Sequence, residues 1–167
     1  ITVSLPASVT SGNLLVLFAS LSGRTFTSIT ESYTQIATRG SSPNLWVGYK
    51  FAGASESAPV LTASGSMSSG SAVILQYSGV DSLGTTGTIS STAGSTTLAT
   101  NSITTTVADE LVVSFYEGNY AVSSTTFTWT APASTTSRVN SAQTSTSNGL
   151  LVVDEIKTTA GSTTART

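Results

Sequence analysis

A chain of 167 residues suffices for one domain with a sizeable core. Only 8% of it is charged and the net charge is −2, well under the roughly one quarter charged residues of an average soluble domain. The six basic residues, Arg24, Arg39, Lys50, Arg138, Lys157 and Arg166, are scattered. That speaks against nucleic acid and anionic membrane as partners, since both need clustered positive charge.

The polar surface is built from hydroxyls: serine and threonine exceed a third of the residues, while hydrophobic residues still reach 38%. Threonine favours strands, and serine and glycine favour turns, so the composition predicts an all-β protein with almost no helix. In chain order, strands are expected near 1–5, 13–20, 33–38, 44–52, 59–63 and 71–78, then near 86–90, 102–107, 110–117, 126–130, 135–140, 149–157 and 163–167. Breakers such as Pro6, Gly12, Gly23, Gly40, Pro43, Gly65, Gly79, Gly84 and Gly118 separate them. Many short strands at such spacing read as a two-sheet antiparallel sandwich, jelly-roll-like.

Two strands are distinctive. Leu14-Leu15-Val16-Leu17-Phe18 is apolar on both faces, one for the core and one for a covering loop or a neighbouring subunit. Ser71 to Ser78 interleaves polar residues and reads as an inner-sheet strand with one wet face. Trp46 and Trp129 are expected as packing anchors. The first eleven residues lack the basic start and apolar run of a signal peptide.

The chain says nearly the same thing twice. Gly12-Asn13-Leu14-Leu15-Val16-Leu17-Phe18 and Asn44-Leu45-Trp46-Val47-Gly48-Tyr49-Lys50-Phe51 have counterparts in Asp109-Glu110-Leu111-Val112-Val113-Ser114-Phe115 and Gly149-Leu150-Leu151-Val152-Val153-Asp154-Glu155-Ile156. Leu14 maps to Leu111, an offset of 97 residues (111 − 14), and Phe51 to Ile156, an offset of 105 (156 − 51). This period is too long for a solenoid and suits two similar β-layers of one body. The expectation is a single domain over 1–167, with halves at about 1–81 and 102–167 joined by the Ser/Thr/Gly-rich stretch 82–101. The second half stops at Thr167 before any counterpart of Val73–Tyr77. Either that last strand lies beyond residue 167, or a partner supplies it.

Reactive chemistry has little to work with. There is no histidine and no cysteine, which removes Ser-His-Asp and Cys-His catalysis, imidazole and thiolate metal sites, and disulfides. No glycine-rich phosphate loop and no Asp-x-Asp-x-Asp calcium loop occur. A serine activated by Lys50 or Lys157 is not singled out by spacing. Asp109-Glu110 and Asp154-Glu155 are adjacent pairs whose side chains would leave a strand on opposite faces, so neither makes a two-carboxylate site; they read as solvated surface charges. No catalytic residue, cofactor or metal is expected. Tyr33, Tyr49, Tyr116, Tyr120 and Trp129 are the aromatics that could meet a sugar or a partner, and Tyr49, Tyr116, Tyr120 and Trp129 are taken as the candidate contacts.

Several of these segments follow one order. Pro6 precedes Gly12-Asn13-Leu14-Leu15; then come Tyr33-Thr34-Gln35-Ile36, Tyr49-Lys50 running to Ser55-Glu56, and Tyr77-Ser78-Gly79-Val80-Asp81. That order resembles β-sandwich modules of bacteriophage structural and virion-surface proteins, also found in some bacterial surface proteins. Ala108-Asp109-Glu110-Leu111 and Thr158-Thr159-Ala160-Gly161 are similar to the later part of such modules. The chain departs from the pattern in having Tyr33 where tryptophan is usual and in lacking the last strand. The resemblance implies a non-enzymatic virion component, a decoration or accessory module on capsid or tail. It would contact other virion proteins and act as a homo-oligomer or in many copies. The alternative is a receptor- or glycan-binding module of a phage fibre or bacterial adhesin.

Overall fold

The computed structural model describes residues 1–40, 43–66, 69–90, 95–118, 127–144 and 148–167. Among them there is no helix. The protein is all-β, made of open antiparallel sheets in a sandwich-like arrangement, as the composition predicts. Among the described residues eleven strands follow one another: β1 Leu14–Ser22, β2 Phe26–Ile29, β3 Thr34–Arg39, β4 Asn44–Phe51, β5 Leu61–Ala63, β6 Ser69–Tyr77, β7 Thr104–Thr105, β8 Glu110–Gly118, β9 Thr136–Ser141, β10 Gly149–Lys157 and β11 Gly161–Ser162. The chain divides into two compact units. The first takes in residues 1–82 and Asn148; the second holds the remainder of the described residues.

In the first unit a four-stranded sheet runs in the order β3-β4-β1-β6, and a ribbon pairs β2 with β5. Alternate residues of β1, Leu15, Leu17 and Ala19, join Trp46, Ile74, Leu61, Val3 and Tyr33 in one core, with Phe26 and Ile29 of the ribbon packed against it. Each fully buried leucine there contributes about 1.5–3 kcal/mol of apolar burial. All nine residues of β1 are buried, its second set (Leu14, Val16, Phe18) included. The doubly apolar pattern read from the sequence therefore marks a strand covered on both faces.

The second unit holds a three-stranded sheet in the order β8-β10-β9 and a ribbon of β7 with β11. Its core gathers Tyr116, Leu151 and Val153, with Leu98, Trp129 and Ala131 packed against them.

The two units repeat one fold in the same register. β1 pairs with β4 so that Leu14 faces Phe51, and β8 pairs with β10 so that Leu111 faces Ile156. β3 meets β4 with a bulge between Gln35 and Ala37; β9 meets β10 with a bulge at the equivalent place, between Ser137 and Val139. The edge ribbons agree as well. The Leu61 amide donates to the Ile1 carbonyl at 2.8 Å, and the Thr163 amide to the Ile103 carbonyl at 2.7 Å. Even the left-handed backbone positions recur. Gly12 (φ 85°) corresponds to Asp109 (φ 61°), and Ser32 (φ 48°) to Ser134 (φ 64°). Glycine and aspartate are residues that reach this region at low cost.

Several expected strands are corrected. Residues 1–5 contribute only an isolated bridge, Thr2 to Val60. Residues 86–90, 127–130 and 163–167 are not strands; residue 126 of the expected 126–130 strand lies outside the described residues. Residues 86–90 and 163–167 are hydroxyl-rich with few large side chains, too little apolar area to hold a ladder, whereas the large side chains of 1–5 and 127–130 pack against the cores without strand pairing. β2 was not expected, because Phe26-Thr27-Ser28-Ile29 is four residues long within a Ser/Thr run. β6 lies at the edge of its sheet and not inside it, with eight of its nine residues only half-buried.

Candidate functional site

Of the four acids expected in solvent, Asp109 is exposed, whereas Glu110, Asp154 and Glu155 are tied down. Asp154 is 3% exposed, and its Oδ2 accepts from Nε of Arg138 at 2.6 Å. Glu155, on the opposite face of β10, takes a two-pronged contact from Arg166, at 2.8 Å from Nε and 2.6 Å from Nη2. That fork holds the Arg166 guanidinium above its usual range. Glu110 accepts the Thr106 amide at 2.9 Å. These carboxylates work as staples between strands and loops.

A fourth acid closes the most polar corner of the first unit. Glu56 accepts from the Lys50 ammonium at 2.7 Å and from the Gly53 amide at 2.6 Å, which holds its carboxyl below the ordinary value of 4.5. The Lys50 ammonium lies 5.6 Å from the centre of the Tyr33 ring, within cation–π range. Burial, then the negative charges of Glu56 and Glu31, push the Tyr33 hydroxyl up to about 12. It has no hydrogen-bond partner among the described residues. A phenol so hard to ionise is no general base, and a lysine held by a carboxylate is not free to activate a serine.

Asn148 forms the densest hydrogen-bond knot. Its Nδ2 donates to the Ser20 hydroxyl at 2.6 Å; its Oδ1 accepts from Ser22 at 3.1 Å and Ser69 at 2.8 Å; its carbonyl accepts from Ser71 at 2.6 Å. The side chain is 1% exposed. Nothing in the sequence marked it, since an Asn-Gly pair at a strand start reads as a turn.

Two of the candidate aromatics, Tyr116 and Trp129, come together in the second unit. Tyr49 sits on β4 in the first unit, half-buried, edge-to-face with Phe51 at 6.4 Å between ring centres. Tyr116 is 5% exposed in the core of the second unit, and its hydroxyl donates to the Arg166 carbonyl at 3.1 Å. Its ring is spent on packing, so it is withdrawn as a surface contact. Trp129 packs beside it at 6.5 Å and meets Phe127 edge-to-face at 5.1 Å. The Phe127 ring lies over the facing pair Gly118 and Gly149, where a β-carbon would come within 2.5–2.6 Å of it. Tyr120 lies outside the described residues. Trp46 and Trp129 are the packing anchors that their size predicts.

The two units differ in the sheet neighbours of their first long strand. β1 is flanked by β4 and β6, whereas β8 is flanked by β10 alone among the described residues. β8 pairs with β10 over nine consecutive residues without a bulge. Among the described residues no group of three or more acids could hold a metal. Compared with family models, curated proteins and solved structures, the chain yielded no match.

Proposed function

We propose that this protein is a non-enzymatic structural module of a virion, a decoration or accessory piece on a phage capsid or tail that works through protein–protein contacts. The observation that carries this reading is the use made of the acids. Glu56, Asp154 and Glu155 are each held in an ion pair, and Glu110 accepts a backbone amide, so these carboxylates serve the fold. The chain also has no imidazole or thiol to replace them. A weakly charged, hydroxyl-rich surface suits tight packing among many copies, and the order of the turn motifs supports the virion setting. Cryo-EM of the particle, with the protein labelled, tests the proposal: density on capsid or tail is expected, and recovery of the chain only as a free monomer overturns it.

A second reading, a glycan-binding module of a fibre or adhesin, is favoured by the partly exposed Tyr49–Phe51 pair, with Phe51 39% exposed. A glycan array separates the two: a sugar that binds and is lost in Tyr49→Ala supports it, and silence across the array removes it.

A further inference from the structure

We propose that the Asn148–Gly149 step is a one-way latch: a deamidation site held inert while its amide sits in a square of serines, and converted irreversibly once it leaves. The inference goes beyond the virion reading and does not depend on it.

The sequence supplies the reactive step. Asn148-Gly149 is the chain's single Asn-Gly pair; the other five asparagines precede Leu14, Leu45, Ser102, Tyr120 and Ser141. The peptide nitrogen of a glycine is the least hindered nucleophile toward a preceding asparagine, because glycine has no Cβ and its backbone turns freely. That nitrogen attacks Asn148 Cγ: a C–N bond forms, the Cγ–Nδ2 bond breaks, and ammonia departs with the proton lost by the Gly149 nitrogen. Water then opens the cyclic imide at either carbonyl, leaving aspartate or isoaspartate at position 148.

The fold holds both reacting groups. Ser20 and Ser22 alternate along β1, Ser71 and Ser69 along β6, and the register sets Ser20 opposite Ser71 and Ser22 opposite Ser69. Alternate residues of a strand share a face, as do residues directly opposite, so the four hydroxyls form a square. Three of them grip the electrophile: Ser20 accepts from Nδ2, while Ser22 and Ser69 donate to Oδ1. The fourth, Ser71, donates to the Asn148 carbonyl at 2.6 Å. That carbonyl lies in the same planar peptide group as the Gly149 nitrogen, so the nucleophile is pinned as well. Ring closure swings the side chain and this peptide group toward each other, against these four bonds.

Packing keeps the labile pair in the chain. A β-carbon at position 149 would come within 2.5 Å of the Phe127 ring, so glycine is required there. The square needs a neutral side chain at 148 that donates and accepts at once, which an amide does. The product has no N–H for Ser20, and it puts a carboxylate where the parent side chain is 1% exposed. The square supplies hydroxyls and no positive charge, and burying an unpaired charge is strongly disfavoured. A converted chain therefore does not close again.

The test incubates the intact protein at mildly alkaline pH, with and without urea above its unfolding midpoint, and follows residues 139–157 by peptide mapping and mass spectrometry. Fragmentation separates Asn148 from Asn140 in the same stretch. Deamidation at Asn148 should be at least about tenfold slower in the folded protein than in urea. Ser20→Ala and Ser71→Ala should each raise the folded rate several-fold and leave the rate in urea unchanged. Glu155→Ala, which breaks the Arg166 pair towards the other end of β10, should raise it less. In Asn148→Asp the backbone amides of Ser20–Ser22 and Ser69–Ser71 should exchange faster than in the parent. If that variant does not fold, partly deamidated parent separated by ion exchange gives the same readout. Equal rates in the folded and unfolded chain, serine variants that leave the folded rate unchanged, a rise in Glu155→Ala that matches theirs, or parent-like exchange in the product: any one of these overturns the latch.

Discussion

Leu111 lies directly across the β8–β10 ladder from Ile156, as Leu14 lies across β1–β4 from Phe51. A duplication preserved at the level of paired residues means that corresponding positions in the two units answer the same structural need. Where their chemistry differs, the difference can be tested.

The Arg138–Asp154 pair is one such place. In the first unit the bulge residue is Ile36 and the position of Asp154 is Tyr49, an apolar solution. In the second, the bulge residue is a half-exposed arginine bound to an almost fully buried carboxylate. Removing the arginine alone strands that charge, so Arg138→Ala should cost on the order of 2–3 kcal/mol. Arg138→Ile with Asp154→Tyr, copying the first unit, should recover most of the loss. Urea unfolding of the four variants checks this; additive single effects would contradict it.

The facing glycines under Phe127 predict a steric effect with a specific rescue. Gly149→Ala places a methyl group about 2.5 Å from the ring and 3.2 Å from the Gln143 amide. Such overpacking typically costs about 1–3 kcal/mol. Phe127→Leu, by drawing the ring atoms away, should reduce the penalty of Gly149→Ala even though it weakens the parent. Thermal melts of the single and double variants read the coupling.

The Tyr33, Lys50 and Glu56 corner predicts two pH limbs. Glu56 titrates lower in the folded protein than in the unfolded chain, so its contribution is complete above about pH 4.5 and is lost as pH falls further. Tyr33 titrates higher when folded, so its contribution is complete below pH 10 and is lost as pH rises from 10 towards 12. Glu56→Gln should flatten the acid limb. Tyr33→Phe should flatten part of the alkaline limb, with the remainder belonging to Tyr116, whose hydroxyl burial also pushes up. At neutral pH Tyr33→Phe should change stability by less than about 1 kcal/mol, because the buried hydroxyl it removes has no partner. Urea midpoints measured across pH decide each limb.

Asn148 joins four serines of the first unit, so Asn148→Ala should cost roughly 2–3 kcal/mol by leaving buried hydroxyls unsatisfied. Faster amide exchange in the Ser20–Ser22 and Ser69–Ser71 stretches would accompany the loss. Unchanged exchange there would mean that water replaces the amide.

Long apolar segments made the fold readable. β1, β4, β6, β8 and β10 each carry four or more large apolar side chains, enough to announce a strand whatever its neighbours do. The repeat, too, could be aligned from those segments. Only one strand of each ribbon, β5 and β7, could be placed, because in Phe26–Ile29 and Gly161–Ser162 the backbone pairing is decided by the strand opposite and not by local composition. The ion pairs were hidden for a related reason: Arg166 and Glu155 are separated by a turn that only the folded chain closes.

The aromatic cores give the sharpest test of equivalence. In the first unit Ala19 faces Trp46 across the ladder; in the second, at the matching level, Tyr116 faces Leu151. The large ring has moved from the β4-type strand to the β1-type strand, and the small partner has moved the other way. If the two levels are equivalent, Ala19→Tyr alone should overpack the first unit by about 1–3 kcal/mol. Trp46→Leu alone should open a cavity worth about 3 kcal/mol and release the Gln35 carbonyl, which accepts the indole N–H at 2.9 Å. The double variant, by importing the second unit's arrangement, should be more stable than the sum of the two by at least about 1 kcal/mol. Urea unfolding followed by far-ultraviolet circular dichroism measures this, and strict additivity would show that the match of registers does not extend to the packing of side chains.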